Sequence, residues 1–321
     1  RTPAAEVYAQ IELDLIYAAD NLPLTQTQTG RVTKGAAQAL LGKVYLYQNK
    51  FALAAPVLDD VISSGVYDLV SDYSTLFEND NENNVESVFE IQYTDVEGAG
   101  FGCLQCSEGN VAIGFNGPRN FNGPLFESGF SFNVPTQEVF DAFDQDDARR
   151  EFAILDIVAF AQANTDFNGG AGVTFTEGFE HTGYFNRKYI PRVGDTNIGD
   201  QNLTNPNNYR AIRFADVLLM GAEAHNQGDG NDALAREYLN RVRERTTLSD
   251  VNASGSALTQ AIYNERRLEL VGEGHHFFDL VRTGRAAQEI EGFTAGKNEL
   301  FPIPLVEIQL AGNRWLQNPG Y

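Results

Sequence analysis

Carboxylates are the first residues in this 321-residue chain whose types and spacing could do chemistry. Glu265, Glu269 and Glu273 recur at i, i+4 and i+8, so one helix would carry them as a column of like charges. Each neighbouring pair then costs about 0.2–0.5 kcal/mol unless cations from elsewhere neutralise it. Such a column suits acid–base catalysis, a carboxylate metal site or a scaffold ion-pair network. Charges borne on a helix are more often structural. The expectation is therefore a network of Glu265, Arg266, Glu269, Glu273 and Arg282, with Arg267, Arg285, Arg210 and Arg213 as further partners. The Glu-x-x-His of Glu273 and His276 is half of a di-iron motif, but none of the other histidines follows a Glu by three residues.

Other chemistries lack an address. The run Gly98, Gly100, Gly102 is not a G-x-G-x-x-G phosphate cradle, and neither a P-loop nor a G-x-S-x-G nucleophile elbow occurs. Asp80 to Glu86 and Asp144 to Asp147 do not have the ligand spacing around a central Gly that an EF-hand loop uses, and read as solvated acidic loops. Cys103 and Cys106 form one C-x-x-C without the second pair of a structural zinc site. A short disulfide, two free thiols and redox or metal chemistry all stay open. No catalytic residue, metal site or cofactor is expected.

Aromatic and amide side chains remain. The central stretch holds Phe101, Phe115, Asn116, Arg119, Asn120, Phe121, Asn122, Phe126, Phe130, Phe132, Phe175, Phe179, Tyr184 and Asn186. A sugar ring packs its axial C–H face on an aromatic ring, while its hydroxyls need fixed donors and acceptors. From this set Phe101, Phe115, Asn116, Arg119, Asn120, Phe121, Phe130 and Tyr184 are the candidate ligand contacts. Taken singly, any of these rings could equally be a small core under a long loop.

The elements that must position these residues are helical at both ends of the chain. Val7, Ile11, Leu15, Ala18 and Leu22 mark one amphipathic helix, ending at Pro23. After a polar turn from Thr25 to Gly30, the residues Ala37, Leu40, Leu41, Val44 and Tyr45 mark a second. A third runs from about Phe51 to Ser63, with Leu58, Val61 and Ile62 inward; Pro56 near its first turn predicts a mild kink or a later start, and Gly65 a stop. Residues 211–226 and 232–246 form another pair, and Leu258 to Val271 a further helix. Helices of about fourteen residues joined by tight turns, with Ala36, Ala37 and Gly42 at the crossing, look like tetratricopeptide units. From Asp80 to Asn208 only Val88 to Tyr93 reads as a strand and Val134 to Phe143 as a helix. So long a loop-rich stretch inside a helical scaffold is uncommon unless it binds something.

Composition removes whole classes of partner. With 23 basic against 44 acidic residues the net charge is −21, the wrong sign for neutralising nucleic-acid phosphates. The same charge disfavours sulfated or uronic-acid polymers and is compatible with neutral glucans or basic peptides. No run of about 18 apolar residues suggests a spanning helix.

The scaffold residues themselves resemble a known family. GRVTKGAAQALLGKVYLYQNKFALAAPVLDDVISSGVYDLV followed by YSTLF, then PTQEVFDAFDQDDAR at 135–149, YRAIRFADVLLMGAEAHNQ at 209–227, AIYNERRLELVGEGHHFFDLVRTG at 261–284 and the ending LFPIPLVEIQLAGNRWLQNPGY are similar, in order, to the SusD/RagB family of outer-membrane nutrient-binding lipoproteins. The resemblance implies a mainly α fold in which tetratricopeptide-like helix pairs carry a long loop-rich ligand-binding region with few short strands. It implies one SusD-like domain over 1–321, with helical scaffold at 1–79 and 209–321 and ligand-binding loops at 80–208. It implies no enzyme, but a lipid-anchored protein on the extracellular face of the outer membrane that delivers oligosaccharides to a SusC-type TonB-dependent barrel. Oligopeptide capture is the alternative, and a glycoside hydrolase the second alternative. The family normally carries a signal peptide, a lipid-bearing Cys and more N-terminal helices, so an N-terminal part is expected to be missing here. Trp315, the single tryptophan, falls in the terminal scaffold motif, which leaves stacking to Phe and Tyr.

Overall fold

Apolar residues at helical spacing build this fold, and its helices end close to where turn residues interrupt them. The computed structural model describes residues 2–321 apart from 97, 99, 196–198 and 201. The chain divides into two compact units, one of Arg1–Leu13 with Gly274–Tyr321 and one of Asp14–Glu273. Helix α1 spans Ala4–Asn21, α2 Lys34–Tyr47 and α3 Phe51–Ile62. Thr33 caps α2, its hydroxyl accepting from the Ala36 N–H. The turn between α2 and α3 places Asn49 at φ 55°, a left-handed conformation that Asn tolerates. α3 starts at Phe51 despite Pro56, whose ring removes only a hydrogen bond to the carbonyl of Ala52 in the first turn. Gly42 is the close-approach point of the pair, since a Cβ there would stand 2.5 Å from the Leu58 side chain.

The second helix pair mirrors the first. Strand β6 (Tyr209–Arg213) runs straight into α9 (Phe214–Gly228), which turns through Asn231, the cap of α10 (Asp232–Glu244), and α11 (Gly255–Glu269) closes the layer. Ala54, Leu58 and Val61 of α3 meet Leu218, Leu219 and Ala222 of α9 and Leu239 and Val242 of α10 in the largest core. Leu40, expected inside, is 42% exposed, because the buried stripe of α2 runs through Ala36, Ala37, Leu41 and Tyr45.

Between the two layers come short elements: β1 (Ser87–Ile91), α4 (Val111–Asn116), β2 (Arg119–Asn122), α5 (Gln137–Asp141), α6 (Arg149–Ala153), β3 (Ile154–Asp156), α7 (Ile157–Ala163), a distorted turn α8 (Phe167–Gly170), β4 (Thr174–Thr176), β5 (Tyr184–Asn186) and β6 (Tyr209–Arg213). They pair as three antiparallel ribbons, β1 with β6, β2 with β4 and β3 with β5. Residues 211–213, expected to be helical, instead complete β6, whose Tyr209 pairs with Ile91 and Arg213 with Ser87. The other unit holds α12 (His276–Arg282), α13 (Ala286–Glu289) and α14 (Leu305–Leu310). No helix among the described residues is long and apolar enough to cross a membrane. The molecule is thus mainly α with few short strands.

One polar interior holds the larger unit together. Glu265, Glu269 and Glu273 are each no more than 2% exposed. Arg149, at the start of α6, bonds Glu265 at 2.5 Å, Glu269 at 2.9 Å and Asp147 at 2.7 Å. Arg213, where β6 becomes α9, reaches Glu269 at 3.0 Å, Glu273 at 2.8 Å and also Glu86. Arg245 joins Glu86 at 2.6 Å to Glu269 at 2.5 Å, Arg243 takes Glu265 at 2.6 Å, and Lys188 takes Glu273 at 2.6 Å. The cations are therefore drawn from the central segment and from α10 as well as from β6. Arg266 pairs with Asp216 at 2.5 Å, and Arg282 with its neighbour Asp279 at 2.8 Å. Sequence spacing gives the column but not the partners that tertiary folding brings to it.

Burial pushes the Glu269 carboxyl up, yet Arg245, Arg213, Arg149 and Lys188 outweigh it and hold the group far below the usual carboxylate range. Burial also lowers Lys188 to about 8, against the attraction of Glu273. Removing one member of a buried pair leaves an uncompensated charge, at a cost of about 3–5 kcal/mol, whereas an exposed pair is worth about 0–1 kcal/mol. In denaturant unfolding, Arg213→Met is therefore expected to lose several times more stability than Arg267→Ala, whose partner Glu138 is 72% exposed. Equal losses would contradict the network. Lys188 gives a second test by linkage. Its folded-state pKa lies below its unfolded one, so the unfolded chain binds more protons between about pH 8 and 10.5 and stability rises with pH there. Unfolding midpoints of the wild type should gain on those of Lys188→Met across that window, and a constant difference would refute the assignment.

Candidate functional site

Two backbone segments lie side by side in the central region and bring three phenylalanines together. α4 ends at Asn116, and Gly117 follows as its cap. Ser131 donates its N–H to the Gly117 carbonyl at 2.8 Å, Gly129 to Pro118 at 3.0 Å and Phe132 to Phe115 at 3.0 Å. Gly117 and Gly129 make this approach possible, since a Cβ on Gly129 would lie 2.5 Å from the Gly117 nitrogen. The Phe115 ring then stands 5.0 Å from Phe130 and 5.7 Å from Phe132, tilted by 35° and 24°. Phe132 is 55% exposed while Phe115 and Phe130 are half-buried, so the cluster has a wet face. Exposed rings grouped in this way mark interaction sites more often than scattered ones do.

Arg119 edges the cluster. Its guanidinium lies 5.8 Å from the Phe130 centroid, donates to the Phe130 carbonyl at 3.0 Å, and has no carboxylate partner among the described residues. Its backbone N–H is held by the Ser131 hydroxyl at 3.0 Å. In a chain with 44 acidic residues, a half-buried arginine without a carboxylate is a donor free for a ligand. Asn120, exposed and at φ 51°, ties this edge to β4 through a 3.2 Å bond to the Thr176 hydroxyl. β2 pairs Arg119 with Thr176, and the chain continues to Gly178, where a Cβ would stand 2.7 Å from Cβ of Ser131. Phe179, 88% exposed, therefore follows directly beside the cluster. Ser131 and Leu125 adopt φ of 59° and 70°, conformations that cost non-glycine residues about 1–3 kcal/mol and cluster where function needs them.

Not all the anticipated contacts belong here. Phe121 is 8% exposed and packs with Phe126, Leu155, Ile157 and Phe185, because strand alternation in β2 turns it inward while Asn120 and Asn122 face out. Tyr184 stacks on Phe140 at 4.4 Å beside Val139 and Phe143, its hydroxyl donating to Gln137 at 3.1 Å. Both rings are core, and neither is offered to a ligand. Asn116 is buried at 8%. Phe101 is 58% exposed in the turn before the Cys103–Cys106 disulfide, on the loop that leads into α4. Phe132 and Phe179, the most exposed rings beside the cluster, belong to the wider aromatic set but not to the anticipated contacts. The Ser131–Gly178 contact that unites them is long-range and leaves no local signal. Among the described residues no group of three or more His, Cys, Asp or Glu side chains is arranged to hold a metal ion.

Comparison with known proteins fits this architecture. The SusD family model matches residues 72–299. SusD-like protein P2 of Formosa agariphila is 29% identical over the whole chain and 66% of its own length, and a SusD-like protein of Bacteroides ovatus is 28% identical over 86% of this chain and 50% of its own. The chain thus spans half to about two thirds of these curated relatives. Among solved structures, a laminarin binding SusD-like protein shares 41% identity with a TM-score of 0.89, covering all of this chain and 70% of the other. Surface glycan-binding protein A from Bacteroides thetaiotaomicron, solved with laminarihexaose, shares 28% identity with a TM-score of 0.89 over 98% of this chain and 71% of its own. On the family match across most of its length, this chain belongs to the SusD family.

Proposed function

We propose that this protein captures neutral glycans without cleaving them, using Phe115, Phe130, Phe132 and Phe179 as a stacking surface and Arg119 and Asn120 as hydroxyl partners, with Phe101 on the neighbouring loop. The observation that carries the reading is the wet aromatic cluster edged by an arginine with no carboxylate partner among the described residues. Sugar C–H faces bind such rings, and a planar guanidinium donates to adjacent hydroxyls. The net charge of −21 repels polyanionic chains and leaves neutral ones. A laminarin-type glucan is the first ligand to test, since one similar structure is of a laminarin binding SusD-like protein and another is a complex with laminarihexaose. In this reading the protein sits, lipid-anchored, on the outer face of the outer membrane and hands its cargo to a SusC-type TonB-dependent barrel, which gentle extraction of the tagged full-length protein should copurify.

Stacking contributes about 0.5–1.5 kcal/mol per ring beyond its buried area, which is a factor of about 2–10 in affinity. In affinity electrophoresis through laminarin gels, the wild type should be retarded, with Phe132→Ala and Arg119→Ala each weakening retention several-fold and Phe121→Leu, a core change, leaving it close to normal. No retardation by laminarin or other neutral glucans, together with binding of oligopeptides, would favour peptide capture instead. Release of reducing ends from a glucan by pure protein would point to a hydrolase.

A further inference from the structure

Beneath the polar turn between α1 and α2 lies a cavity that the aromatic cluster does not use. The turn is closed at its neck, where Lys34 donates its N–H to the Pro23 carbonyl at 2.9 Å, and braced across by Gln26, whose amide donates to the Val32 carbonyl at 2.7 Å. Gly30, at φ 84°, lets it lie on β1 and its neighbours, since a Cβ there would stand 2.6 Å from the Gln92 side chain. A compact loop with joined ends of this kind is an Ω-loop, a class that is frequently functional. The cavity beneath it measures 230 Å³. Pockets for drug-sized ligands run to about 300–1,000 Å³, so this one has room for a single sugar ring and not for a chain.

Its floor is rigid and partly apolar, and its rim is polar. Tyr67 stacks on Phe214 at 6.3 Å, shares a 2.9 Å hydrogen bond with Thr33, and is seated against Gly35, whose missing Cβ would lie 2.6 Å from the tyrosine ring. Phe89 packs on the main core. Above them stand Thr25, Gln28, Thr29 and Arg31. Among the described residues the two threonine hydroxyls, the Gln28 amide nitrogen and the terminal nitrogens of Arg31 bond to no other protein group, while the Gln28 carbonyl and Arg31 Nε hold each other. A ring floor below uncommitted hydroxyl, amide and guanidinium groups has the same complementarity to a pyranose as the aromatic cluster.

We infer that this cavity is a second saccharide site that takes one neutral hexose unit, at the end or a branch of a glycan. It rests on the glycan reading of the protein and adds a second weak contact, which strengthens capture of a polymer through effective concentration. The test is a titration of the full chain with glucose, followed by backbone amide shifts in two-dimensional NMR. Saturable shifts are expected in residues 24–33 and 83–90 beside those of the aromatic cluster at 115–133, the first two sets unchanged by Phe132→Ala and abolished by Thr29→Trp, which fills the cavity. If the tryptophan variant does not fold, the Gln28→Ala/Arg31→Ala variant serves, with apparent affinity expected to fall at least about threefold for the two lost donors. No saturable shift in 24–33 would overturn the second site, as would shifts there that neither variant alters. Shifts confined to 115–133 would remove the cavity while leaving the aromatic site standing, and shifts confined to 24–33 would do the reverse.

Discussion

A column of three glutamates that cannot be left unneutralised governs this structure. Glu265, Glu269 and Glu273 lie inside the protein, where an isolated carboxylate would cost several kcal/mol to desolvate. Their cations come from α6, from the segment after β5, from the β6–α9 junction and from α10. Satisfying the column therefore requires the helical layer and the central segment to be folded together. Tyr73 and Phe77 close over it, with the Arg245 guanidinium 4.9 Å from the Tyr73 ring and Lys188 5.0 Å from that of Phe77. The network fixes the base from which the loops depart, while leaving their tips free to carry ligand chemistry.

That division explains the character of the aromatic site. Phe115, Arg119 and Asn120 sit on elements of six residues or fewer, too short for propensity alone to hold them, and Phe130, Phe132 and Phe179 on the loops between elements. Their geometry comes from cross-segment hydrogen bonds, from the glycine pair at 117 and 129, and from inward-facing neighbours such as Phe121 and Phe185, which pack a small core beneath. The exposed rings stand on that core. A frame built of ion pairs and helices tolerates exchange of such loops, as is fitting when one fold serves different ligands.

The helices were legible because each carries an apolar repeat several turns long: Leu58 and Val61 in α3, and Leu239 and Val242 in α10, fall where the spacing puts them. The strands among the described residues were mostly illegible, being three to five residues each, and β6 was hidden because Ala211 and Ile212 continue the apolar pattern of α9. The glutamate column could be read from its spacing, whereas Arg149, Arg243, Arg245 and Lys188 could not, since nothing local distinguishes them from surface cations. In the site, residue type marked the right region but not exposure: Phe121 and Phe130 look alike in sequence, and only strand alternation and the underlying core separate them.

The central claim is that a rigid, ion-paired frame presents an aromatic surface to sugar. A crystal structure of this chain with laminarihexaose tests it most directly. Pyranose C–H faces are expected against the rings of Phe132 and its neighbours, with Arg119 donating to sugar hydroxyls and the glutamate network unmoved. A sugar bound only at sites remote from residues 115–133, or those rings turned inward around an ordered ligand, would contradict it.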